Sequence, residues 1–131
     1  LESIRQHMVF ARYNAPLAMV VCGNMTLALK GPDKDMWIMD CSAAIENMMI
    51  LAPQIGLGSV WIGIYPVKPR VDEIRDLFNI PSHVIPMSIV YFGYPDEEKE
   101  PRTRYNEKAV HYQEYEQRKM RVKDKPKKGH Y

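Results

Sequence analysis

The stretch Val84–Phe92, VIPMSIVYF, is apolar almost without interruption and is closed by Gly93-Tyr94-Pro95. A run of this length and composition reads as a strand covered on both faces, so the rest of the chain must supply a layer on each side of it. Pro86 cannot donate a ladder hydrogen bond, which confines it to the start of that strand or to a bulge. A second apolar run, Leu17–Cys22, opens after Pro16 and stops at Gly23-Asn24, and a third strand is expected over Ser59–Tyr65 before the turn PVKPR.

Two helices fit between these strands. From about Met36 to Ile55 the apolar positions Trp37, Cys41, Ala44, Ile45, Met48, Ala52 and Ile55 recur at threes and fours, which predicts a strongly buried central helix. Pro53 should bend or shorten its last turns, and Gly56 and Gly58 should end it. A shorter helix is expected from about Pro69 to Phe78. Its face of Val71, Ile74, Leu77 and Phe78 opposes the charged Arg70, Asp72, Glu73, Arg75 and Asp76. The order strand, helix, strand, helix, strand, with MTLALKGPDKD as a loop into the first helix, licenses an α/β or α+β sandwich of sheet against helices. From Asp96 the chain is polar, aromatic and charged without long apolar periodicity, and should wrap over something as an extended arm.

Charge is uneven along the chain. The net charge is +2 over 131 residues, but from Glu116 seven basic side chains stand against Glu116 and Asp124, so that tail carries +5 and the remainder −3. The tail lacks aromatic interleaving before its last residue and has no heptad pattern, so a solvated basic terminus is expected and nucleic acid is not. No apolar run approaches the roughly 18 to 20 residues a membrane span needs, and the first residues do not have the pattern of a signal peptide. A cytoplasmic chain is expected. Cys22 and Cys41 could form one disulfide at most, and their apolar surroundings favour buried, reduced thiols.

No catalytic constellation emerges from spacing. His7, His83, His111 and His130 are scattered, neither cysteine has a CxxC partner, and no metal site is expected. The glycines of GLGSVWIG precede a strand, which matches neither a dinucleotide fingerprint nor a P-loop. Residue chemistry alone reads that segment as a helix stop followed by a core strand.

The ordered blocks carry more. DCSAAIENMMILAPQIGLGSVWIG, then RVDEIRDLFNIP, HVIPMSIVYFGYP and PRTRYNEKAVHYQEY, resemble the small single-domain members of the FMN-dependent nitroreductase family, over roughly Pro16 to Tyr115. The resemblance implies a nitroreductase-like α+β fold, a central mixed sheet flanked by helices with an extended C-terminal arm. It also implies non-covalent FMN at a homodimer interface, reduced by NADH or NADPH and re-oxidised by a small aromatic acceptor such as a nitroaromatic or quinone. The expected organisation is a flavin-binding domain over residues 1–115, including an arm over 96–115, followed by a basic tail over 116–131. The alternative is a flavin-binding or interaction protein of the same fold without turnover.

By the same resemblance Trp61, Ile62, Gly63 and Ile64 lie beside the isoalloxazine, with a peptide N–H in this stretch reaching flavin N5. Arg102 and Arg104 map onto the pair that grips the FMN phosphate, an arrangement that suits alternate residues of an extended segment and arginine's rigid fork. An exposed basic turn is the other reading of that pair. Asp40, Ser42 and Asn47 are weaker candidates that could equally cap or decorate a helix. No side chain is assigned as a catalytic acid or base. An Arg-Arg-Ser-type segment, a Pro-Ser stretch and a first core strand, expected from the family, are not found ahead of Leu1, and the chain reads as N-terminally incomplete with an exposed apolar sheet edge.

Overall fold

The computed structural model describes residues 14–115. Strand β1 (Leu17–Asn24) leads through a single 3₁₀ turn at Gly31–Asp33 to helix α1 (Trp37–Gln54). Strand β2 (Gly58–Gly63), helix α2 (Lys68–Phe78) and strand β3 (Val84–Gly93) follow. The described strands form one sheet in the order β1-β3-β2, so the longest apolar run becomes the central strand. Both pairings are antiparallel, which corrects the mixed sheet expected above for the described residues.

Each helix ends as its local sequence dictates. α1 stops one residue after Pro53, where Gly56 takes φ +77° and the Leu57 N–H reaches back to the Ala52 carbonyl. α2 closes the same way: Asn79 adopts φ 51°, its N–H meets the Asp76 carbonyl and the Ile80 N–H meets that of Arg75. A left-handed residue at this position lets the chain satisfy the last carbonyls and leave the helix axis, and glycine or asparagine takes it at least cost.

The sheet has a core on each face. Ile89 and Tyr91 of β3 meet Ile64 and, from α2, Val71 and Ile74. On the other face Val90 and Phe92 meet Trp37, Ile45 and Ala52 of α1. Close packing shows at Gly23, where an added Cβ would overlap the Trp37 ring. The helix is less buried than its periodicity suggests. Ala44 is exposed, Ile55 is 61% exposed, and Met39, Ile50 and Leu51 are also out in solvent, so α1 is apolar on its outer side as well.

β3 carries the irregularity that Pro86 demanded. Val21 pairs with Ser88 but Cys22 pairs with Pro86, which leaves Met87 as an extra residue, a β-bulge. The Met87 carbonyl accepts from both the Ile64 and the Tyr65 N–H, each at 3.0 Å. β2 therefore ends at Gly63 instead of continuing to Tyr65, and the chain turns through a cis Tyr65–Pro66 peptide into α2.

The chain divides into two compact units after Glu98. In the second, the described residues 99–115 are irregular apart from a 3₁₀ turn at Glu107–Ala109, whose start is capped where the Asn106 side chain accepts from the Lys108 N–H at 3.1 Å. The His111 and Tyr115 rings lie 4.4 Å apart. The expected arm, 96–115, straddles this division, and the basic tail, 116–131, lies outside the described residues.

Candidate functional site

Three of the four candidates on β2 and its exit use their side chains to hold the fold. Trp61 packs on the α1 side of the sheet, and its Nε1–H donates to Ser88 Oγ at 2.6 Å. Ser88 is buried, so this bond satisfies a hydroxyl and an indole that would otherwise each lose water without replacement. Ile62 and Ile64 pack on the α2 side, and Ile64 is fully buried.

Gly63 differs. It is exposed, and an added Cβ would meet nothing within 4 Å. Its main chain also faces outward. The Ile64 N–H bonds across to Met87, and in an antiparallel ladder inward-bonded residues alternate with outward-facing ones, so both the N–H and the C=O of Gly63 point away from β3. The carbonyl accepts from Arg70 Nη1 at 3.0 Å. What this strand end offers a ligand is therefore an open backbone edge backed by a fixed core.

The weaker candidates serve the helix. Ser42 Oγ donates to the Ile38 carbonyl at 2.7 Å, one turn back, and Asp40 is an exposed acid in the first turn of α1, where it complements the helix dipole. Asn47 is exposed. Arg102 and Arg104 belong to the second unit and are both exposed. Both cysteines are free and half-buried. Burial pushes each thiol up, reinforced at Cys22 by Cys41 and at Cys41 by the charge of Asp40. Among the described residues no three His, Cys, Asp or Glu side chains cluster as a metal site would require, and no helix is long and apolar enough to cross a membrane. A cleft of about 270 Å³ opens at the other end of β2 from Gly63, lined by Pro16, Gly58, Ser59, Phe92, Tyr94 and Pro95 among others.

Comparison with known proteins accounts for this architecture. The Nitroreductase family pattern matches residues 6–94. A protein of Methanothermobacter thermautotrophicus named "Putative NADH dehydrogenase/NAD(P)H nitroreductase" is 41% identical over 102 residues, 78% of this chain and 52% of its own length. One of the same name from Archaeoglobus fulgidus is 42% identical over 105 residues, 78% of this chain and 59% of its own. An FMN-dependent nitroreductase structure from Clostridium difficile superposes with a TM-score of 0.68 at 30% identity, covering 78% of this chain and 60% of that one. The chain belongs to the nitroreductase family and has its α+β fold. It spans little more than half the length of the two archaeal relatives.

Two structural partners of the site, Ser88 and Arg70, were not singled out from the sequence. A serine inside an otherwise apolar strand was the available signal for the first. If the Trp61–Ser88 bond is worth what a buried neutral hydrogen bond usually is, Ser88→Ala strands the indole N–H and destabilises the protein by about 1–3 kcal/mol. Denaturant unfolding followed by tryptophan fluorescence checks this; an unchanged midpoint refutes it.

Proposed function

We propose that this chain forms most of an FMN-dependent oxidoreductase site, and the outward-facing backbone of Gly63 is the observation that carries the reading. A flavin needs a flat edge with a hydrogen-bond donor and no side chain in the way. The Gly63 N–H supplies the donor for N5, and the absence of a Cβ permits close approach. Trp61, Ile62 and Ile64 hold that edge from behind through the contacts described above. Bound FMN would supply the redox chemistry, hydride passing from NADH or NADPH to a flat, electron-poor acceptor such as a nitroaromatic or quinone. The names of relatives support this reading, among them the C. difficile FMN-dependent nitroreductase and an NADPH-using FMN reductase of Bacillus subtilis. A cytoplasmic location, where reduced nicotinamide is at hand, belongs to the same reading.

Arg102 and Arg104 are assigned the FMN phosphate, where charge-assisted bonds contribute on the order of 1.5–3 kcal/mol each. The purified protein is expected to be yellow with close to one FMN per chain and to bleach with NADH or NADPH. The double change Arg102→Ala with Arg104→Ala should release the flavin, and full occupancy in that variant would sink the phosphate assignment. FMN bound but never bleached would point to a flavin-binding protein without turnover.

Gly63→Val places a branched side chain on the open edge while meeting no neighbour in the fold. Flavin affinity should fall and the circular dichroism spectrum should not change; unchanged affinity would remove β2 from the site.

A homodimer completes the reading. In the single chain α1 exposes Met39, Ile50, Leu51 and Ile55, and the second unit exposes Tyr105, Tyr112 and Tyr115, apolar surface of the kind a partner covers. Light scattering should return twice the chain mass, with Tyr112 and Tyr115 protected from surface labelling. A monomer with both tyrosines reactive refutes it.

A further inference from the structure

We propose that Arg70 is the positioning residue for the Gly63 edge; the proposal rests on the reading of that edge as the flavin contact. Arg70 lies in the first turn of α2, and helical side chains lean toward the N-terminus, which carries its guanidinium back toward the end of β2. There Nη1 donates to the Gly63 carbonyl, seven residues earlier in the chain.

The consequence lies in the peptide between Gly63 and Ile64. Its N–H is held by the Met87 carbonyl on one side of the strand and its C=O by Arg70 on the other. Two anchors at opposite ends fix the plane of that peptide. Glycine otherwise has the widest backbone freedom of any residue, and among the described residues β2 is an edge strand with no further strand beside it. Freed from Arg70, the carbonyl, which already faces outward on the same edge, could tilt toward the Gly63 N–H. It would then set an acceptor beside the Gly63 N–H, where oxidised flavin N5, itself an acceptor, calls for a donor. Arg70 thus keeps the edge a donor surface without touching the flavin.

The bond demands a donor, not a guanidinium as such. A lysine ammonium can still donate to one carbonyl oxygen, whereas methionine keeps the aliphatic stem and loses the donor. The test is therefore Arg70→Met against Arg70→Lys, with two readouts on the whole protein. Amide hydrogen exchange without FMN reports the pin itself: the Ile64 N–H should exchange several-fold faster in Arg70→Met and near the wild-type rate in Arg70→Lys. Titration with oxidised FMN, followed by flavin fluorescence, reports the consequence. Affinity should fall about three- to tenfold in Arg70→Met, the worth of one hydrogen bond, and recover in Arg70→Lys. Unchanged exchange at Ile64 overturns the pin. Faster exchange with wild-type FMN affinity overturns the positioning role while leaving the flavin assignment intact. A wild-type protein that takes up no FMN overturns the assignment and this proposal together.

Discussion

The bulge at Met87 is the constraint on which the geometry of this unit depends. It sits in the central strand, where a proline has removed one ladder donor at Pro86 and the register against β1 slips by one residue. Slippage puts Met87 and Ser88 both toward α1, one packing there and the other accepting from Trp61. On the β2 side the Met87 carbonyl takes two N–H groups at once, from Ile64 and Tyr65. Those two bonds end β2, bury Ile64 and turn the chain into α2.

Much of this was legible in the sequence because it is local. Continuous apolar runs found the strands, threes and fours found the helices, and Gly56 and Pro53 marked where α1 stops. Even the bulge followed from a proline in a buried strand. What escaped was set by contacts between distant residues. The end of β2 could not be read from Ser59–Tyr65 alone, because the acceptor that stops it lies on β3. The Trp61–Ser88 bond spans 27 residues, and the Arg70–Gly63 bond joins a helix face that periodicity reads simply as solvated to a glycine that it reads as a strand interior. The resemblance to the nitroreductases pointed to Trp61, Ile62, Gly63 and Ile64, but it could not say that three of them use their side chains in the core.

Periodicity misjudged α1 for a related physical reason. A hydrophobic stripe tells which residues avoid water, not what covers them. Trp37, Ile45 and Ala52 find the sheet, while Met39, Ile50, Leu51 and Ile55 are left more than half exposed. A helix apolar on two sides has a face left to cover, and at roughly 25 cal/mol per Å² of apolar surface any cover for that side would be stabilising.

The division of labour at β2 bears on how such a site tolerates change. Side chains at Trp61, Ile62 and Ile64 are committed to packing, so substitutions there act first on stability and reach the ligand only by moving the strand. In the site we propose, the backbone at Gly63 would meet the ligand, and it has no side-chain chemistry to vary. A main-chain donor has the same chemistry whatever residue carries it, and only its direction can be tuned. The peptide that follows it, Gly63–Ile64, is held by Met87 on one side and Arg70 on the other. In that reading, control of the edge resides in residues that flank it, and the packing that holds the strand is also what holds the backbone the ligand would meet.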